Sequence, residues 1–307
     1  EEVFEQIMSM SRKLQYQMLT ENGALGRLPF IGVDRLDTEH ARVVFPGAEG
    51  AYTQAAMERY FGKNVNSFHV DTFRDAMIAI EEGSADYAVL PIENSTAGIV
   101  NEIYDMLVEF ENYIVGEQII KIEHCLMALP GTKIEDIKTV YAHPQSLMQS
   151  SRYLQEHVSW RQIGMNNNAF AARKVAEDKD CTQAAIASEH AAETYGLSIL
   201  ERSINQSSMN STRFIVVTNQ KIFLKDAKKV SICFEVPHES GSLYHMLSHF
   251  IYNNLNMNKI ESRPLEDRNW EYRFFIDFDG NLADSAVKNA LRGLRDEALE
   301  MKILGNY

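Results

Sequence analysis

The stretch Met209-Asn210-Ser211-Thr212-Arg213-Phe214-Ile215-Val216-Val217 decides how this chain is read. Its second half, from Phe214 to Thr218, is a run of β-branched and aromatic residues, the composition of a buried strand. Small and polar residues from Asn205 to Ser211 lead into it. A hydroxyl, Thr212, and a guanidinium, Arg213, therefore stand at the mouth of that strand. Open α/β sheets tend to hold ligands at such edges, and the planar fork of arginine suits a carboxylate. Taken alone, these residues also fit an ordinary loop threonine and a surface arginine.

Around this stretch, strands and helices alternate with short connections. Strands are expected at Ala41 to Phe45, Ser67 to Val70, Tyr87 to Pro91 and Tyr113 to Ile122, with helices at Tyr52 to Phe61, Thr72 to Glu82 and Ile99 to Glu109. A second round has strands at Cys125 to Leu129, Thr139 to Ala142 and Ala184 to Ala187. Its helices are Gln145 to Glu156, Ala169 to Ala176 and Glu189 to Tyr195, and Leu197 to Ile204 ends it. Such alternation predicts mainly parallel sheets covered on both faces. Two rounds predict two α/β lobes, with the chain returning to the first at Phe214 and a small-molecule cleft between lobes.

Beyond a lysine-bearing connector, Lys221 to Lys229, the pattern changes. Val230 to Val236, Ile260 to Arg263, Glu271 to Phe278 and Met301 to Leu304 read as strands, Ser242 to Asn253 and Ala283 to Leu299 as helices. The order βαββαβ is that of a ferredoxin-like unit. At the other end, Val3 to Leu19 carries apolar residues at helical spacing, and Asn22 to His40 breaks the pattern with Gly23, Gly26, Pro29 and Gly32 as a linker does. The first residue is Glu, which reads as a processed or cut end.

Composition sets the bounds. The 307 residues allow two or three domains, and 45% hydrophobic content marks a globular chain. A net charge of −13 argues against nucleic acid or an anionic membrane as partner. An anionic substrate would need a locally positive pocket. Cys125, Cys181 and Cys233 are far apart with no CxxC, as in a cytoplasmic protein with reduced thiols. No stretch approaches the ~20 apolar residues of a membrane span, and no secretory signal opens the chain.

Several turns could carry chemistry. Gly47-Ala48-Glu49-Gly50 opens a helix whose free amides suit an anion, though it matches no phosphate-loop pattern. Glu93-Asn94-Ser95-Thr96 follows a strand; its amides and hydroxyls can cap the next helix or hold a carboxylate or hydroxyl. His143-Pro144-Gln145 stands between strand and helix, with Gln149 a turn further on. His245 and His249 share a helix face, but no third ligand is evident and no metal is expected.

Asn210-x-Thr212-Arg213-Phe214, Pro91-Ile92-Glu93-Asn94-Ser95, His143-Pro144-Gln145 and Glu261-Ser262-Arg263-Pro264 occur in the order found in prephenate dehydratases, and the chain from about Arg42 to Tyr307 resembles that family. The resemblance implies a two-lobed catalytic domain like the type II periplasmic binding fold over residues 41–220. It implies an ACT regulatory domain over residues 221–307. Residues 1–40 resemble the last helix of a chorismate mutase plus a linker. There Ser11 and Gln15 match positions facing the mutase site, and without the earlier helices no mutase activity is expected; a plain packing or dimerisation helix fits this segment nearly as well.

The implied activity is loss of carbon dioxide and the ring hydroxyl from prephenate to give phenylpyruvate, with no metal, nucleotide or electron carrier. Thr212 would hydrogen-bond the leaving hydroxyl, and Arg213 would anchor a carboxylate or order the loop. Asn94, Ser95 and Gln149 would fix the substrate beside His143 and Phe214, with Glu93 orienting neighbours or acting as acid. Whether Thr212 or Glu93 donates the proton stays open. Gly241, Ser242, Leu243 and Glu261 to Pro264 match a phenylalanine-binding site, with inhibition by L-phenylalanine and a homodimer or homotetramer implied.

The chain departs from the family's pattern at Ala48 (usually Pro), at Ala51 and Ala142 (usually hydroxyl residues), and at Asn166 to Asn168, where relatives commonly have Ser-Thr. Arogenate dehydratase chemistry and a non-catalytic amino-acid sensor remain alternatives.

Overall fold

The computed structural model describes Phe4, Ile7, Ser11, residues 28–265 and residues 268–307. Of the expected N-terminal helix, Phe4, Ile7 and Ser11 are helical and exposed, and Gln15 lies outside the described residues. The chain divides into two units. One combines Asp37–Met106 with Glu117–Val217; the other combines Leu107–Gly116 and Thr218–Tyr307 with the described residues before Asp37.

The first unit holds two sheets. One has the strand order Ser211–Thr218, Tyr87–Asn94, Arg42–Pro46, Asn66–Val70. Arg42–Pro46 is parallel to both of its neighbours, whereas Ser211–Thr218 runs antiparallel to Tyr87–Asn94. The start of Ser211–Thr218 therefore lies at the edge where the parallel strands end, the edge that binds ligands in open sheets. The other sheet has five strands in the order Ser198–Glu201, Cys125–Ala128, Gln183–Ala187, Thr139–Ala142, Arg161–Gly164. Cys125–Ala128 is antiparallel to both of its neighbours, and the remaining pairs are parallel. Small side chains let the helix Asn168–Asp178 lie close on this sheet: Ala171, Ala172, Ala185 and Ala187 are fully buried together with Met127 and Val175.

Local chemistry sets the helix starts. Phe73–Glu81 opens on a reciprocal cap, in which the Asp75 amide donates to Thr72 Oγ1 and the Thr72 amide donates to the Asp75 carboxylate, both at 3.1 Å. The expected helix Gln145 to Glu156 is two helices, Pro144–Gln149 and Ser151–Gln155. They are broken at Ser150, whose φ of −108° and ψ of 13° leave the helical range. The strand Arg161–Gly164 was invisible to apolar patterning because it is a short edge strand of Arg-Gln-Ile-Gly. Within the expected linker and connector, Ile31–Val33 pairs in parallel with Ile222–Leu224.

The second unit has the element order read from the sequence. Strand Lys229–Glu235 is followed by helix Ser242–Tyr252, strands Met257–Pro264 and Tyr272–Asp279, helix Ser285–Glu297 and strand Glu300–Asn306. Its strands lie in the order Met257–Pro264, Tyr272–Asp279, Lys229–Glu235, Glu300–Asn306, with every neighbouring pair antiparallel. Phe234, Phe250, Phe278 and Leu291 are among the buried residues between sheet and helices. His249 is half-buried against Gly293, where a Cβ would lie 2.4 Å from the imidazole; a glycine is what lets the ring approach. His245 is exposed. In the same unit Gly305 pairs with Ile114, and Lys302 Nζ donates to the carbonyls of Phe110 (2.6 Å) and Val108 (3.3 Å).

Candidate active site

A cavity of about 720 Å³ opens in the first unit, lined from both of its sheets. Gly47, Gly50, Ala51 and Tyr52, the ends of Tyr87–Asn94 and Ser211–Thr218, the helix Pro144–Gln149 and the turn at Asn166 to Asn168 all contribute to it. At Gly47 and Gly50 the chain comes close to residues that carry the other sheet's helices. A Cβ on Gly47 would lie 2.8 Å from Asn167 Nδ2, one on Gly50 2.9 Å from Ala191 Cα, and both residues have positive φ. Ser188, the cap of Glu189–Tyr195, donates to the Gly50 carbonyl at 2.9 Å.

At the head of the cavity, Thr212 stands opposite Asn94 in the strand pair. The register then shifts so that Phe214 lies opposite Pro91. One residue, Ile92, is bulged out, and the bulge brings Pro91, Asn94, Thr212 and Phe214 all to the cavity. The same pleat sends Glu93 and Arg213 elsewhere. Arg213 lies 3.4 Å from Glu93 and 3.4 Å from Glu117, and neither Arg213 nor Glu93 belongs to the lining. Of the roles expected of them, anchoring a carboxylate or ordering the loop for Arg213 and acting as acid or orienting neighbours for Glu93, the second of each fits side chains that strand alternation turns away from the cavity.

Asn94, placed at the end of a strand rather than at a helix cap, organises the polar groups. Its Oδ1 accepts from the Thr96 and Ala97 amides at 3.0 and 2.9 Å. Its Nδ2 donates to Thr212 Oγ1 at 2.9 Å and to Asn210 Oδ1 at 2.8 Å. Backbone amides only donate, so the Asn94 side chain has one orientation. Thr212 Oγ1 thus accepts from Asn94, and its own proton is left to point at a bound group. Replacing Asn94 by Asp puts a carboxylate oxygen where three acceptors now receive Nδ2. We expect Asn94→Asp to lower kcat by on the order of 10²-fold, checked by steady-state kinetics with circular dichroism to confirm folding.

Gln149 bridges the two lobes. Its Nε2 donates to Thr96 Oγ1 at 2.7 Å, and its Oε1 accepts from Asn210 Nδ2 at 3.0 Å. His143 caps its helix, with Nδ1 accepting from the Gln145 amide at 3.2 Å, and lines the cavity. Ser95 staples the approach loop instead of reaching the cavity. Its hydroxyl donates to the Met209 carbonyl at 3.2 Å and accepts from the Ser211 amide at 3.0 Å.

Sequence reasoning missed His124. It is buried, its Nε2 lies 2.9 Å from Gln149 Oε1 and its Nδ1 lies 3.2 Å from the Tyr52 hydroxyl, which donates to the Glu123 carbonyl at 2.7 Å. Burial holds the imidazole below its ordinary pKa, against the opposing hydrogen bond to Gln149 Oε1, and burial raises the Tyr52 phenol well above its own. The only signal in the sequence was a histidine at the junction of two apolar strands.

In the second unit, Ser242 and Leu243 line a separate cavity of about 400 Å³ with Val236 to Ser240, Trp270 and Tyr272. Gly241, with φ of 87°, forms the turn into the helix. Glu261, Ser262, Arg263 and Pro264 lie on the edge strand, outside that lining.

An α/β chain with a cleft lined by amides, hydroxyls and imidazoles, and no cluster of metal-ligating side chains among the described residues, is built to orient a small polar substrate. The prephenate dehydratase family model matches residues 43–222. The chain is 32% identical over 299 residues to the bifunctional chorismate mutase/prephenate dehydratase of Escherichia coli K12, covering 95% of this chain and 78% of that one. It is 33% identical over 316 residues to arogenate dehydratase/prephenate dehydratase 2 of Arabidopsis thaliana, covering 99% of this chain and 79% of that one. A crystal structure of prephenate dehydratase from Arthrobacter aurescens in complex with L-Phe is 30% identical, with a TM-score of 0.80 over 87% of this chain and 89% of that one. The chain belongs to the prephenate dehydratase family. Its activity is that of a lyase converting prephenate to phenylpyruvate in phenylalanine biosynthesis.

Proposed function

We propose that Thr212 is the group that assists departure of the ring hydroxyl, and that the Asn94–Gln149 network holds the substrate for it. The carbon–carbon bond to the ring carboxylate breaks, its electron pair enters the ring, and aromatisation expels hydroxide, which leaves as water on taking one proton. Carbon dioxide and phenylpyruvate are the other products. The site's task is orientation, a hydrogen bond to the leaving oxygen and exclusion of water. The observation that carries this is the donation from Asn94 to Thr212 Oγ1, which frees the threonine proton for the leaving group. Of the two roles open to Arg213, ordering the motif is favoured by its ion pairs with Glu93 and Glu117. Glu93 then orients Arg213 instead of acting as acid. Phenylpyruvate formation from prephenate by the purified protein is the test.

Arogenate is the second reading. The lining includes one carboxylate, Asp71, able to receive the ammonium that distinguishes arogenate from prephenate. Turnover measured on both substrates decides between them.

Residues 221–307 act in this reading as a ferredoxin-like ACT domain joined to a two-lobed catalytic domain over residues 41–220. Phenylalanine binds at Gly241 to Leu243, completed by Glu261 to Pro264 of a neighbouring copy in a homodimer or homotetramer. The exposed edge strand Met257–Pro264 supports such pairing. Inhibition follows if phenylalanine prefers the conformation in which the cleft is unproductive. A side chain at Gly241 would be strained by its positive φ. Gly241→Val should therefore abolish phenylalanine binding in calorimetry while prephenate turnover persists; unchanged inhibition places the regulatory site elsewhere. Cytoplasmic operation fits three cysteines that form no disulfide, and no helix of the described residues is long and apolar enough to cross a membrane.

A further inference from the structure

The cavity poses an electrostatic problem. Prephenate carries two carboxylates, yet among the described residues the lining contains no lysine and no arginine; its charged side chain is Asp71. Arg213, behind the strand, is matched by Glu93 and Glu117. The chain as a whole carries a net charge of −13. The bases in the lining are His124 and His143.

Hydrogen-bond directions separate these two histidines. From Asn94, fixed by two backbone amides, the order runs through Asn210, which accepts at Oδ1 and therefore donates at Nδ2, to Gln149 Oε1. Gln149 Oε1 is thereby an acceptor, so His124 carries a proton on Nε2. On its other side, the Tyr52 hydroxyl has one proton and two claimants, the Glu123 carbonyl at 2.7 Å and His124 Nδ1 at 3.2 Å. A neutral His124 leaves one of these interactions without a proton. An imidazolium resolves it, because Nδ1–H then donates to Tyr52 while Tyr52 donates to Glu123. His143 is the opposite case: its Nδ1 already accepts the Gln145 amide, and a proton there would break the helix cap.

We propose that His124 supplies the positive charge for the dianionic substrate, taking up a proton at Nδ1 as the substrate enters and releasing it when the product leaves. This rests on the prephenate dehydratase activity and names a positioning residue for it. The titratable groups around His124 are Tyr52, Cys125 and Glu123, whose carboxylate is held by Lys121 at 2.8 Å. Beyond Cys125 stands the Arg202–Glu189 pair at 2.7 Å; His143 and Asp71 face the same cavity. Burial pushes the imidazole below its ordinary pKa and so favours the neutral form in the free protein. A bound dianion raises that pKa. The charge's contribution to binding is fully present below the free-protein pKa and is lost as pH rises through the value in the complex. Between the two, KM should climb with pH.

The test is steady-state kinetics with prephenate from pH 6.5 to 9 on the unaltered protein, His124→Gln and His124→Asn. In the unaltered protein KM should rise by up to about tenfold per pH unit while kcat changes less than about threefold. His124→Gln and His124→Asn should start from a KM raised on the order of tenfold or more and show no slope. A second measurement needs no His124 variant. Calorimetry of prephenate binding to Thr212→Val, in buffers of different ionisation enthalpy at pH 8, should show net proton uptake; none overturns the proposal. So does a KM slope that survives in His124→Gln but vanishes in His143→Gln, or a variant that loses kcat with KM and its slope intact. A protein without prephenate turnover overturns both readings. One that turns prephenate over with a KM flat in pH overturns the role of His124 alone.

Discussion

Thr212→Val should lower kcat for prephenate by about 10²–10³-fold with little change in KM, the signature of an interaction made chiefly in the transition state. Valine keeps the branched shape at a position that is 9% exposed. Asn94 Nδ2, deprived of Thr212, keeps Asn210 Oδ1 at 2.8 Å and the Ser211 carbonyl at 3.2 Å, so the fold should survive the change. What disappears is the hydroxyl proposed to give its proton to the leaving group. Steady-state kinetics with a thermal melt as the control check this, and near-unaltered turnover would remove Thr212 from the mechanism. Thr212→Ser, which keeps the hydroxyl and loses only a methyl, should recover most of the rate.

The second large effect is structural. Gly305→Ala should lower the thermal midpoint by on the order of 5–10 °C, the consequence of overpacking near the upper end of the usual ~1–3 kcal/mol. A Cβ on Gly305 would lie 2.1 Å from the Ile114 carbonyl oxygen and 2.8 Å from its carbonyl carbon. Those are backbone atoms of a paired strand, so no side-chain rotation relieves the clash. One of the two strands has to separate, and the neighbouring bonds from Lys302 to the Phe110 and Val108 carbonyls would be disturbed with it. Differential scanning calorimetry reads the outcome. A midpoint unchanged within a degree would show that the strand yields at no cost.

Much of this molecule was legible before its structure. Apolar patterning located most helices and strands of both units, because a helix that buries one face writes a period of 3.6 into its residues and a strand buried on both faces reads as a continuous apolar run. Asn94, Thr212, Gln149, His143 and Phe214 do meet in one cavity, since turns at strand ends carry residues that packing does not dictate. What the sequence alone could not determine was side-chain direction. Glu93 and Arg213 sit beside Asn94 and Thr212 in the chain, yet a period of 2 faces them away, and the bulge at Ile92 decides which neighbours share the cavity. Nor does any local pattern join His124, Asn210 and Thr96 to Gln149, because those hydrogen bonds cross sequence separations of 25, 61 and 53 residues. The directions in which those bonds point, and with them the proton on His124, exist only once the strand carrying Thr212 runs antiparallel beside the one carrying Asn94.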